Sequence, residues 1–500
     1  MPTNITYSTL RKKWPRHPKV LEVSAWPWLS SLSSKYGYQV TLANIPKSEL
    51  EEEIGRFDMV WLMGVWERSP RGRDLALNHP GLREEYRRVL HDFHDEDVVG
   101  SPYSVHRYRV DPRLGGPKGL ATARAQLAER GLGLLLDFVP NHLAVDHDWV
   151  ADNPSFFIKA AKEEQQARPN EFFRAGDELI AHGRDPYFPP WTDTAQINAF
   201  SQEARRALGS TLMDIASQCD GVRCDMAMLV TNEVFSRTWG KIAGPLPAED
   251  FWQELIPHVR DRFPSFIFIA EVYWDMEWEL QQQGFDFCYD KRLYDRMAHE
   301  NADEVRAHLT ADLDYQEKLI RFIENHDENR AAVVFAERAL AAGVLALTSP
   351  GAKLVHEGQT RGHRNHLPVQ LGRRPSEQTD EKTADFYKRL MEIVSSRDLC
   401  EGTWRLSELQ TEIPIEQQRQ LVSYTWALTD TKTVVIINFG AHPVQGRIRI
   451  KGLSFPPGRY RCTDRLQDVS HSHLGKELEK EGIPLKLTPW SAHIYCIQKD

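Results

Sequence analysis

The sequence predicts a (β/α)8 TIM barrel with an insertion after its third strand and a C-terminal antiparallel β-sandwich. Three observations carry this. Eight short apolar runs alternate with helical patterns up to about residue 395, the order that builds a parallel barrel. Residues 143–198 interrupt that alternation with a stretch rich in Asp, His, Pro and aromatics. Beyond about residue 400 the texture changes: "LVSYTWALTDTKTVVIINFGAHPVQGRIRIKG" reads as strands joined by turns. The implied division is a barrel of residues 1–142 and 199–398, an insertion of 143–198 and a β-sandwich of 399–500.

The eight strand candidates are, in order, "VLEVSA" from Val20, "MVWLMGVW" from Met59, "GLLLDFV" from Gly133, "GVRCDMA" from Gly221, "FIFIAEV" from Phe266, "FDFCYD" from Phe285, "IRFIENH" from Ile320 and "AKLVHEG" from Ala352. Continuous apolar runs mean strands covered on both faces. Between them, "KGLATARAQLAERG" puts Leu120, the stem of Arg124, Leu127 and Ala128 on one stripe and stops at Gly131. "SQEARRALGSTLMDIA" aligns Leu208, Leu212, Ile215 and Ala216, with Ser201 as N-cap. "AEDFWQELIPHVRDRF" aligns Trp252, Leu255, Val259 and Phe263. A doubly wound open sheet is the structural rival, but no GxGxxG follows the first strand.

The chain has 500 residues, 27% of them charged, and a net charge of -9. Mean hydropathy is -0.51. An acidic balance argues against nucleic-acid or anionic-membrane partners, which favour a basic face. The start, "MPTNITYSTLRKKWPRHPKV", has basic residues but no apolar segment behind them, so no signal peptide is expected. The run "ALAAGVLAL" is far shorter than the ~20 residues that span a bilayer. Six cysteines without CxxC spacing read as free thiols, and a cytoplasmic location is expected.

The chemistry is expected at the C-terminal ends of the barrel strands. "DGVRCDMAML" buries Arg223 and Asp225 two residues apart, so both side chains face one way. Buried charges are tolerated when paired or when they do chemistry. Glu271 ends the fifth strand in "FIAEVYW", and Asp327 follows the seventh in "ENHDENR". Three carboxylates at one mouth, with arginine and histidine around them, suit glycoside hydrolysis, which needs a nucleophile and a protonated acid. Crowding of like charges raises one pKa, which suits Glu271 as the acid. Trp66, Tyr103, Trp191, Tyr273 and Trp274 are candidates for stacking on sugar rings, although Trp66, Trp191, Tyr273 and Trp274, each taken singly, fit a packing role better.

These residues resemble the four short motif regions of the α-amylase family of glycoside hydrolases, in the family's order. "DFVPNH" resembles the first, "GVRCDMA" the second, "AEVYW" the third and "ENHDENR" the fourth. "TAQIN" at Thr194–Asn198 is a weaker match to a further motif, and "SPYSVHRYRVDPRLGG" resembles the family's tyrosine loop after the second strand. The resemblance implies a barrel, a domain B at 143–198 and a C-terminal sandwich. It implies Asp225 as the nucleophile that forms a glycosyl-enzyme, Glu271 as acid and then base, and Asp327 as stabiliser of the distorted sugar. Tyr103, His142, Arg223, His326 and Arg330 would bind substrate. Asn141 is where many relatives bind calcium, so a structural calcium is a candidate, while the chemistry itself requires no cofactor.

Some positions depart from the family pattern. Leu229 stands where many relatives carry His, Ser104 and Arg107 stand where many place Asp, and Asn329 replaces a frequent Pro. The expected function is a retaining α-glycosidase acting on α-glucans or malto-oligosaccharides by double displacement. The alternative is a transglycosidase or disaccharide-isomerising enzyme of the same family. A non-catalytic sugar-binding relative is the rival from another class; such proteins usually lose a carboxylate, and this chain keeps all three. The expected partner is an oligo- or polysaccharide, with no nucleic acid and no membrane.

Overall fold

The computed structural model describes residues 14–160 and 162–500. The stretch 1–13, which holds most of the segment read as lacking a leader, lies outside the described residues. Eight parallel strands close into a barrel: β1 (Lys19–Ser24), β2 (Met59–Met63), β3 (Gly133–Phe138), β4 (Gly221–Cys224), β5 (Ile267–Ala270), β6 (Phe287–Tyr289), β7 (Leu319–Arg321) and β8 (Ala352–His356). Each neighbour in sequence is a neighbour in the ring, and β1 pairs β8 to close it. All eight strands overlap the predicted runs, because those runs are mostly apolar and both of their faces are covered.

The helices behave as their stripes dictate. Helix Gln202–Gln218 buries Leu208, Leu212, Ile215 and Ala216 against the barrel. The Ser201 hydroxyl accepts from the Ala204 amide at its start. Each fully buried aliphatic side chain contributes about 1.5–3 kcal/mol. Helix Gly116–Glu129 turns Leu120, Ala123 and Leu127 inward. Ala128, placed on that stripe from the sequence, is exposed, since a straight 3.6-residue period favours Ala123 instead. Gly131 follows with φ +76°, a left-handed position that glycine adopts without a Cβ clash.

After β3 the chain leaves the barrel. His142–Ala144 pairs antiparallel with Thr194–Gln196, and Phe172–Ala175 forms a hairpin with Glu178–Ala181. The first of these ribbons begins at the C-terminal end of β3, so it hangs the excursion over the mouth. Beyond the last barrel helix, six strands in the order Thr403–Leu406, Leu421–Ala427, Thr431–Asn438, Ser491–Lys499, Arg459–Asp464, Val469–Leu474 form one antiparallel sheet, with a second sheet of three. Apolar residues from both sheets, among them Val434, Ile436, Val444, Ile448 and Leu485, make a core of their own. The other face of the larger sheet packs on the barrel through Tyr424 and Trp426. There the Trp426 indole N–H donates to the Thr348 carbonyl at 2.8 Å. The six cysteines are unpaired thiols. Among the described residues no helix is long and apolar enough to cross a membrane.

Candidate active site

The barrel ladder delivers the side chains. Arg223 sits in register with Asp137 on β3 and Ile269 on β5. Hydrogen bonding runs on past the strand ends: the Asp225 amide donates to the Phe138 carbonyl at 2.9 Å and the Glu271 amide to the Cys224 carbonyl at 3.0 Å. The two carboxylates therefore stand side by side on adjacent strands, with backbones too tightly held to drift. One residue on, Met226 takes φ +43°, rare for a non-glycine residue. That turn aims its N–H at Glu271 Oε2, 2.6 Å away. Strain of this kind persists where surrounding structure enforces it, often at functional sites.

Arg223 is the hub. Its Nη1 bonds Asp225 Oδ1 at 2.7 Å, its Nη2 lies 2.8 Å from Glu271 Oε2, and the same Nη2 lies 4.0 Å from Asp327 Oδ2. The guanidinium is 1% exposed. It is boxed by the faces of Trp61, Tyr103 and Tyr289, with centroids 5.2, 5.1 and 5.7 Å away. So carboxylates from three separate places in the chain converge on one cation. Asp225 and Glu271 are buried, whereas the Asp327 side chain is 42% exposed and faces the open mouth.

Electrostatics separates the three. Burial drives Glu271 up to about 7, with Arg223 opposing and the charges of Asp225 and Asp327 adding to the rise. Burial also raises Asp225, but Arg223 pulls it back through charge and a direct hydrogen bond. For Asp327 the desolvation that favours the neutral acid is overcome by His326 and Arg223, and it is lowered. Tyr273 donates to Glu271 Oε1 at 2.9 Å.

The expected sugar contacts divide. Tyr103 and His326 meet in the mouth, hydroxyl to Nε2 at 2.6 Å. His142 stands at the foot of the inserted ribbon, its ring against Trp191 at 5.1 Å, and burial lowers it to about 4, a neutral imidazole. Arg330, expected to touch the sugar, is 4% exposed and holds protein instead: Glu324 Oε1 at 2.7 Å and the carbonyls of Glu357 and Asn365. The buried Glu324 carboxylate beside it draws the guanidinium inward, away from solvent. Trp66 is likewise interior, 1% exposed, donating to the Asp137 carbonyl.

Asn141 does not fit the calcium role. Its Oδ1 accepts from Gln196 Nε2 at 2.9 Å, and its Nδ2 reaches Gln196 Oε1 at 3.3 Å. Among the described residues no group of three or more His, Cys, Asp or Glu is placed to hold a metal. The nearby Asp146 accepts from the Ser69 hydroxyl at 2.6 Å, and Asp148 is paired with Arg107 at 2.9 Å. A neutral carboxamide pair thus ties the insertion to β3. Incubation with EDTA is expected to leave the melting temperature unchanged in a thermal scan; a clear drop would reveal a bound metal.

Sequence reading missed Glu22, Tyr289 and His366. Glu22 looks like a stray charge in an apolar strand, yet its Oε1 lies 2.6 Å from His326 Nδ1. A carboxylate inside a continuous apolar run was the available signal, the same one that exposed Asp225. His366, which contacts the His326 carbonyl at 3.0 Å, lies in a loop without pattern.

A closed parallel barrel whose strand ends bring three carboxylates around one buried guanidinium has the groups that glycoside hydrolysis needs. The family model for the alpha-amylase catalytic domain matches residues 90–401, more than half of the chain, and the chain belongs to the alpha-amylase family. It is 26% identical over 329 residues to the alpha-amylase MalA of Haloarcula japonica, which covers 63% of this chain and 44% of that relative. The intracellular maltogenic amylase of Bacillus subtilis is 22% identical over 406 residues, 75% of this chain and 63% of its own length. The chain therefore spans less than two thirds of either relative. The crystal structure of a noncanonic maltogenic alpha-amylase, AmyB of Thermotoga neapolitana, superposes with a TM-score of 0.66 at 18% identity, covering 97% of this chain and 99% of that one.

Proposed function

We propose that this chain is a retaining α-glycosidase acting on α-glucans or malto-oligosaccharides through a covalent glycosyl-enzyme. The observation that carries the reading is the shared guanidinium: Arg223 contacts Asp225 and Glu271 at 2.7 and 2.8 Å, one on each of its terminal nitrogens. A nucleophile must be ionised while its neighbour is protonated, and one cation between two carboxyls supports that split. Asp225 attacks the anomeric carbon; Glu271 gives its proton to the departing glycosidic oxygen. Glu271, now ionised, then takes a proton from the incoming hydroxyl, which displaces Asp225. Asp327, lowered by His326 and open to the mouth, would bind sugar hydroxyls during both steps. Tyr103 and His142 would line the same sugar.

Transfer to a sugar acceptor is the second reading. It is favoured by a cleft of about 490 Å³ beside Met226 and Tyr273, walled by Trp274 and Phe188 and floored by Glu277. Trp274 and Asp275 both take positive φ, 65° and 60°, which turns the indole toward Tyr187. Such a wall would hold a hexose ring on the leaving side of Glu271. A location inside the cell, as the Bacillus subtilis relative's name states for that protein, is part of the proposal.

Proton NMR of the reaction with maltose, isomaltose, sucrose, trehalose and starch tests it. The first-formed product is expected as the α-anomer, with new glycosides accumulating at high sugar concentration if transfer competes. A first-formed β-anomer, or no turnover of any of these α-glycosides, overturns the proposal.

A further inference from the structure

His326 carries more charge-bearing neighbours than a sugar ligand needs. On one side its Nδ1 lies 2.6 Å from Glu22 Oε1, and its backbone amide reaches the same oxygen at 3.2 Å. On the other, its Nε2 lies 3.0 Å from Asp327 Oδ2 and 2.6 Å from the Tyr103 hydroxyl. A neutral imidazole has one N–H and one bare lone pair. With a carboxylate at each nitrogen, the neutral ring must point a lone pair at one of them. Only the doubly protonated ring satisfies both.

Glu22 is fully buried on β1, and its Oε2 has no hydrogen-bond partner among the described residues. A half-satisfied buried carboxylate is expensive and contributes little as a structural pair, since apolar replacements are often as stable. Its retention in an otherwise apolar strand calls for a gain elsewhere.

We propose that Glu22 is a positioning residue for the site: its carboxylate holds His326 as an imidazolium, and that cation holds Asp327 ionised and oriented toward the sugar. The proposal rests on the glycosidase reading for the role of Asp327, but the charge on His326 does not depend on it. The groups facing His326 are Glu22 from β1, Asp137 from β3, Tyr103 from the loop after β2, Asp327 beside it, His356 from β8 and His366 from the loop beyond. His356 is held well below the ordinary histidine value by burial and by Arg330, so it adds no competing cation at neutral pH. Burial lowers His326 too, yet Asp327 and Glu22 overcome it and leave the ring well above its usual value. Of the two carboxylates, Glu22 is fully buried while Asp327 is open to the mouth, so Glu22 can be changed without removing the proposed sugar contact of Asp327.

The rival arrangement is a neutral ring with Nδ1–H donated to Glu22 and Nε2 accepting from Tyr103. Nitrogen-15 NMR of histidine-labelled protein separates the two, the His326 signal being assigned by its loss in His326→Asn. The wild-type ring is expected to remain an imidazolium at pH 7.5; a neutral ring there overturns the proposal whether or not any variant folds. In Glu22→Gln, which keeps shape and removes charge, His326 is expected to titrate within about one unit of the usual 6.5. An unchanged titration overturns the proposal. In kinetics, Glu22→Gln is expected to raise KM for malto-oligosaccharide about tenfold at pH 8, the scale of one charge-assisted hydrogen bond. The loss should shrink at pH 5, where the variant's ring regains its proton. A loss equal at both pH values points to a merely structural role and overturns the proposal. In a His326→Asn background the Glu22 substitution is expected to add nothing further at pH 8; additive losses count against it. If the wild-type enzyme cleaves no α-glucoside, the function fails while the NMR result stands or falls separately.

Discussion

Asp225→Asn is expected to lower kcat by roughly 10⁴- to 10⁶-fold, the scale on which loss of a covalent nucleophile is felt. Asparagine matches the carboxylate in shape and still accepts a hydrogen bond from Arg223 Nη1, now 2.7 Å from Asp225 Oδ1. The fold should therefore persist, with a melting temperature close to wild type. What disappears is the anionic oxygen that would form the glycosyl ester in the proposed mechanism. Glu271 also changes: part of its rise comes from the charge on Asp225, so the variant's acid ionises at lower pH. Turnover of malto-oligosaccharide, followed by reducing-sugar release, is the measurement. Near-normal rates in a folded variant would remove Asp225 from the proposed role.

Glu271→Gln is expected to cost about 10²- to 10⁴-fold on ordinary oligosaccharides, the usual worth of a positioned acid. On glycosyl fluorides or dinitrophenyl glycosides, whose leaving groups need little protonation, the loss in the first step should be small. The pH profile gives a second reading. The acid is active while protonated, and burial lifts its pKa to about 7. Wild-type kcat/KM should fall as pH rises through that value, because the acid is then spent. In the variant on activated substrates that alkaline limb should be absent. An equal loss on every substrate, or an unchanged limb, would assign the acid role to another group.

Much of the barrel was legible because its signal is local. Runs such as "GLLLDFV" and "FIFIAEV" are apolar at every position but one, Asp137 and Glu271, and a near-continuous apolar run is what strands covered on both faces need. Helix Gln202–Gln218 announced its buried stripe and its Ser201 cap in the same way. Asp225, Glu271 and Asp327 were legible for the opposite reason: each is a charge set at or just beyond the end of such a run, where charges are tolerated when they are paired or do chemistry. The inward position of Arg330, expected as a sugar contact, was not legible, because its partner Glu324 lies across a turn and the two meet only once that turn folds. Glu22 went unread because its partner is more than three hundred positions away in the chain, joined only when β1 meets the loop after β7.

The amino-acid order alone determined the eightfold alternation, the excursion after the third strand, the change to antiparallel β structure near residue 400 and the identities of the three acids. These are properties of composition and period within a few neighbouring residues. Only tertiary structure decided that one guanidinium lies within 4.0 Å of all three acids, that Gln196 fills the carboxamide of Asn141, and that a buried glutamate from the first strand stands against His326. Closing the ring brings together residues hundreds of positions apart, and the low dielectric inside it then sets which of them carry a proton.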